Sequence, residues 1–248
     1  MSGVPIRQRT SPNHAPRHDP PRIDMLVLHY TGMPSAAAAL DRLCDPHARV
    51  SAHYLVDEDG AVWRLVCESR RAFHAGVSCW AGECDLNYVS IGVEIVNPGH
   101  EWGYRLFPEP QMAAVEELCR DILSRHPIPA HRVVGHSDIA PDRKIDPGEL
   151  FDWPGLAHAG IGIWPGPRSA GSRRPFDRDR ALADLAAIGY CLAAEGAAIA
   201  AFQRRFRPGL IDGIIDCATA ARLAEVRADF ARSQSRVNND PIIETRSD

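Results

Sequence analysis

Residues 135–153 read GHSDIAPDRKIDPGELFDW, and the path this stretch must take decides the fold. Val133 and Val134 precede it, so a short buried strand ends where it begins. Pro141, Pro147 and Gly148 then exclude a regular helix or a central strand, because proline lacks an N–H and fixes φ. The chain is expected to leave a strand, cross an opening as a loop, and return to the core through a helix. Turn geometry must bring His136 and Asp146 together, and an imidazole nitrogen and a carboxylate oxygen are both Zn2+ ligand types. Loops on rigid scaffolds often carry chemistry; the remaining members of a site must come from elsewhere in the chain.

Two other apolar runs supply the scaffold. IDMLVLHY, residues 23–30, reads as a strand ending at His29. Taken alone, His29 is as well explained as a partly buried histidine satisfied by a local hydrogen bond. IGVEIV, residues 91–96, reads as a buried strand containing Glu94. An unpaired buried carboxylate is costly, so Glu94 needs a partner, a water-filled opening or a catalytic task; the alternative is an edge strand with the charge in solvent. Between them, Ser35 can cap a helix ending before Pro46, and residues 54–56 and 62–66 form a hairpin around Asp57–Gly60. Residues 69–90 read as a ligand-facing loop, in which His74 and Asn87 can make polar contacts and Trp80 and Tyr88 apolar ones. The competing reading is an aromatic-anchored surface loop, and Cys79 and Cys84 are close enough in sequence for a disulfide. Residues 111–125 place Met112, Val115, Leu118, Cys119 and Ile122 on one helical stripe, with Pro110 in the first turn.

The chain divides near residues 165–180, PGPRSAGSRRPFDRDR, whose breakers and charges read as a linker. Before it lie an arm at 1–20, polar and proline-bearing and expected to be flexible, and a main domain at 21–164. After it, apolar stripes at 181–189, 196–206 and 217–230 give three short helices within a domain at 181–232, and 233–248 reads as a tail. The expected fold class is α/β, a mixed central sheet flanked by helices, plus a small three-helix C-terminal domain. A net charge of −4 offers no general attraction to nucleic acid. No apolar run reaches membrane-spanning length, so integral membrane contact is not expected. The start has no apolar signal core, and seven cysteines without a CxxC pair favour a reducing compartment. Cytoplasmic location is therefore expected, with the periplasm as the alternative; the oligomeric state is not legible.

VLHYTG at 27–32, SIGVEIVN at 90–97 and GHSDIAPDRKIDPG at 135–148 together resemble the AmpD-like, type 2 family of N-acetylmuramoyl-L-alanine amidases, over about residues 20–160. The resemblance implies an amidase/peptidoglycan-recognition-like fold with Zn2+ held by His29, His136 and Asp146. It makes Glu94 the general base and Lys144 the stabiliser of the developing oxyanion. The implied reaction cleaves the amide between N-acetylmuramic acid and L-alanine in peptidoglycan or a 1,6-anhydro-muropeptide; the alternative is a recognition protein without turnover. Asp142 stands where many close relatives have Gly, which bears on loop freedom more than on ligand identity. Downstream, GY at 189–190, AIAAFQRRFRP at 198–208 and DGIIDCATAARL at 212–223 resemble a peptidoglycan-binding domain. Phe202, Arg204, Arg205, Phe206 and Asp212 are its expected contact residues, the phenylalanines having an equally good core reading.

Overall fold

The computed structural model describes residues 5–166 and 176–239. In chain order it contains β1 (Ile6–Gln8), β2 (His14–Pro16), β3 (Met25–Tyr30), α1 (Ala36–Cys44), β4 (Tyr54–Val56), β5 (Val62–Arg64), β6 (Arg70–Ala72), β7 (Cys79–Trp80), β8 (Glu83–Cys84) and β9 (Ser90–Ile95). There follow α2 (Gly99–Trp102), α3 (Glu109–Arg125), β10 (Val133–Gly135), α4 (His136–Ile139), α5 (Trp153–His158), α6 (Arg178–Ile188), α7 (Glu195–Phe206) and α8 (Cys217–Asn239). Six strands form one mixed sheet in the order β1-β5-β4-β9-β3-β10. Only the β4–β5 hairpin is antiparallel within it.

Strand alternation assigns each face its cover. Leu26 and Leu28 of β3, with Ile91, Val93 and Ile95 of β9, pack with Val115, Leu118, Cys119 and Ile122 of α3. Met25 and Val27 face the other way and share a core with Leu185, Ile188, Phe202, Phe206, Leu223, Val226 and Phe230. His29 and Glu94 follow the same alternation onto this second face, at its open end beyond the helices. They are direct partners in the β3–β9 register. Ser35 caps α1 by accepting from Ala38 N at 3.2 Å, and a proline occupies the first turn of α3, as the spacing requires. The three C-terminal helices are present and close on the sheet itself, so the expected small bundle shares its core with the main domain.

Two sequence expectations change. The stretch 1–20 is not a free arm over its described part: β1 pairs in parallel with β5, and β2 pairs with β6. Arg17, 9% exposed, explains why it docks. Its guanidinium donates to the carbonyls of Glu68, Tyr88 and Ser90 at 2.7–2.8 Å, a set of acceptors that no local pattern announces. The tail expected from 233 begins later, because α8 continues to Asn239, with no Gly or Pro from 231 to 239 to stop it. Most of the expected linker, residues 167–175, and the end of the tail, residues 240–248, lie outside the described residues. All seven cysteines are free thiols, although Cys79 and Cys84 stand opposite one another across the β7–β8 hairpin.

Candidate metal centre and active site

The loop that opened the sequence reading does bring its two ligands together. His136 begins α4, and Ser137 N donates to Asp146 O at 2.8 Å, closing the loop on itself. Gly135 is required at the crossing, since a Cβ there would lie 2.7 Å from Pro147 Cδ. His29 Nδ1 lies 2.9 Å from His136 Nδ1 and 3.2 Å from Asp146 Oδ2, and His136 Nδ1 lies 3.1 Å from the same oxygen. His29, His136 and Asp146 are 1%, 4% and 6% exposed.

Proton placement shows what this cluster is for. Ser90 Oγ donates to Leu86 O at 2.6 Å, so it is free to accept from His74 Nε2 at 3.2 Å. His74 Nδ1 then accepts from His29 Nε2 at 3.0 Å, leaving His29 Nδ1 as a bare lone pair. His136 Nε2 likewise faces the carbonyl of Ala75 at 3.2 Å and donates to it, which leaves its Nδ1 bare as well. Burial first, and the adjacent His136 ring second, push the His29 pKa down to about 4. His74 is held well below the usual histidine range by burial, then by His29 and His53. Two imidazole Nδ1 atoms, each with its Nε2 engaged behind it, and a carboxylate oxygen therefore converge on one point. Mutual spacings near 3 Å suit adjacent ligands on a tetrahedral ion with bonds of about 2 Å, and the His2Asp donor set fits Zn2+.

Glu94 and Lys144 line the same cleft, of about 380 Å³, with Tyr30, Phe73, Arg42 and Arg143. Glu94 Oε2 is buried without a hydrogen-bond partner. Burial, reinforced by the Asp146 charge and opposed by Lys144, raises its pKa well above the usual carboxylate range. β9 is central in the sheet, so the edge-strand alternative for Glu94 does not hold.

The expected substrate contacts at 69–90 are placed differently. Both ring nitrogens of His74 face protein partners, so it supports His29 from behind; Gly92 makes room, since a Cβ there would sit 2.4 Å from the His74 ring. Asn87 Oδ1 accepts from the backbone N–H of His74 and Ala75 at 3.0 and 2.8 Å, fixing the segment that orients both metal-site histidines. Trp80, 1% exposed, is a core residue against Tyr190. Tyr88 stacks on His18 and lies under Arg71. The C-terminal contact residues also change role. Phe202, Arg205 and Phe206 are 0%, 3% and 3% exposed, because the apolar stripe of α7 meets the sheet. Arg204 approaches Glu149 at 3.9 Å, and Asp212 accepts from Gln203 Nε2 at 2.9 Å and from Ile214 N, shaping a turn. Sequence reading missed Ser90, Arg17 and Asp138. Only Asp138 carried a signal, its place two residues after His136.

The family described as N-acetylmuramoyl-L-alanine amidase matches residues 19–149. The chain is 38% identical to the N-acetylmuramoyl-L-alanine amidase AmiD of Escherichia coli (strain K12), with 81% of this chain and 81% of the relative covered. It is 35% identical to the 1,6-anhydro-N-acetylmuramyl-L-alanine amidase AmpD of Haemophilus influenzae, with 59% of this chain and 88% of the relative covered. Among solved structures, Escherichia coli AmiD in complex with the substrate anhydro-N-acetylmuramic acid-L-Ala-D-gamma-Glu-L-Lys matches with a TM-score of 0.76 at 37% identity, covering 84% of this chain and 90% of that one. AmpDh3 of Pseudomonas aeruginosa matches with a TM-score of 0.75 at 34% identity, covering 90% and 96%. One family spans more than half of the chain and carries its metal ligands, and the likeness to AmiD extends over four fifths of it: the chain belongs to the N-acetylmuramoyl-L-alanine amidase family.

Proposed function

We propose that this chain hydrolyses the amide joining the lactyl group of N-acetylmuramic acid to L-alanine, with 1,6-anhydro-muropeptides as its substrate class. The observation that carries the reading is the convergence of His29 Nδ1, His136 Nδ1 and Asp146 Oδ2 beside an unpartnered Glu94. When bound there, Zn2+ polarises a carbonyl and lowers the pKa of water. Glu94 supplies the proton management. Its carboxylate accepts the proton of the attacking water, and its raised pKa suits it to return that proton to the departing alanine nitrogen. Lys144 offers its ammonium to the negative charge that develops on the scissile carbonyl oxygen. Arg42 and Arg143 give the cleft wall a positive character suited to the carboxylates of a peptide stem, and the substrate complex of AmiD supports the anhydro class.

The test is a product analysis. Protein supplied with Zn2+ is incubated separately with a soluble anhydro-muropeptide and with polymeric peptidoglycan, and the products are weighed by mass spectrometry. The reading expects the anhydro sugar acid and a peptide with a free L-alanine amine, formed faster from the soluble substrate. Scission at a peptide bond would reject the amidase reading; faster release from the polymer would reject the substrate class.

A further inference from the structure

We propose that the C-terminal helices act on the metal site itself, with Arg205 and Tyr190 as positioning residues for His136 working through Asp138. Asp138 and His136 sit on the same short helix, α4. His136 points into the metal cluster while Asp138 points the opposite way, into the seam with the C-terminal helices. There the carboxylate is held from three sides. Its Oδ1 accepts from Tyr190 Oη at 2.6 Å, and its Oδ2 accepts from Arg205 Nη1 at 2.6 Å and from Gly135 N at 2.8 Å. Arg205 also donates from Nη2 to Val133 O at 3.1 Å and lies over the Trp153 ring at 3.9 Å. One guanidinium thus grips both the strand that enters the metal loop and the helix that aims its histidine.

The burial makes this grip stiff. Asp138, Arg205 and Tyr190 are 1%, 3% and 3% exposed, so water does not replace a lost partner, and a charge left unpaired there forces the turn to move. A shift of α4 changes where His136 Nδ1 points, because only a few backbone bonds separate the two side chains. Both outer donors lie beyond residues 19–149, the segment matched by the family. The C-terminal helices therefore add a brace to a site whose ligands all belong to the family segment. In metal sites, groups that orient a ligand typically govern affinity by ten- to a hundred-fold.

The inference rests on the zinc-site reading, and the experiment separates the two. Zinc dissociation constants of the full chain are measured by competition with a chromophoric chelator for wild type, Tyr190→Phe, Arg205→Lys and Arg205→Met. The melting temperature of each zinc-free protein is recorded alongside. Arg205→Met is expected to bind zinc about ten- to a hundred-fold more weakly, Tyr190→Phe a few-fold more weakly, and Arg205→Lys to recover part of the loss. The visible spectrum of Co2+-loaded Arg205→Met is expected to differ from wild type. Variants that lose thermal stability yet keep wild-type zinc affinity and the wild-type Co2+ spectrum would overturn the proposal and reduce the brace to support of the fold. If Arg205→Met does not fold, Tyr190→Phe, which removes one hydroxyl, decides the question. A wild-type chain that binds no zinc would overturn the site reading instead.

Discussion

Two buried polar clusters flank α4, and they are built in opposite ways. On one side, His29 Nδ1, His136 Nδ1 and Asp146 Oδ2 converge with no donor among them, and Glu94 Oε2 nearby has no partner at all. On the other, the Asp138 carboxylate receives three donors, and of the Arg205 nitrogens only Nε is left unpaired. Folding tolerates few unsatisfied buried polar groups, so a cluster whose members are all acceptors marks a place where a cation and a reaction complete the pairing. A cluster that satisfies itself holds the structure in place. The difference lies in how the hydrogen-bond accounts close rather than in residue type, since both clusters contain a buried aspartate.

That contrast can be broken at either end. Glu94→Gln keeps the shape and removes the proton acceptor; turnover should fall by about 10²- to 10⁴-fold while the melting temperature stays level or rises, because a buried carboxyl without a partner has been replaced by a neutral group. A Glu94→Gln protein that turns over at the wild-type rate would remove Glu94 from the chemistry. Asp138→Ala should do the reverse in stability, costing about 3–5 kcal/mol in chemical denaturation, since it strands the Arg205 charge in the core. A loss below about 1 kcal/mol would show that the seam does not depend on the pair.

A third cluster, closer to solvent, sharpens the scale. Glu68 accepts from Arg125 at 2.8 Å, His126 at 2.7 Å and Tyr54 at 2.7 Å. Burial works to raise its pKa, but these partners outweigh it and hold the carboxyl at about 2, below its usual 4.5. A folded-state pKa below the unfolded one means the contribution is present above pH 4.5 and is lost as pH falls from there towards 2. The loss should be at most about 3 kcal/mol, and Glu68→Gln should flatten stability across that window. An unchanged acid slope in the variant would assign the acid sensitivity elsewhere.

The sheet and the metal ligands were legible because they sit in regular elements. The apolar runs of β3 and β9 announce buried strands, and their polar interruptions, His29 and Glu94, stand out against that background. The Pro and Gly residues of 135–153 likewise announce a loop that must double back. The roles at 69–90 and in α7 were not legible, since a residue type does not say which way it faces. Trp80 and Arg205 suit a ligand surface by composition, yet the docking of the C-terminal helices on Met25, Val27 and Val134 turns both inward. Arg17 is the clearest case. It lies in a polar, proline-bearing stretch, and its burial is decided by carbonyls 51 to 73 residues away in the chain.

The three converging acceptors, His29, His136 and Asp146, form the site for Zn2+. Metal analysis of protein dialysed against zinc and then against metal-free buffer tests it most directly, with wild type compared to His29→Ala and Asp146→Ala. Close to one zinc per wild-type chain is expected, with near-complete loss in both variants while their circular dichroism spectra stay native. Equal zinc content in all three proteins, or none in the wild type, would contradict it.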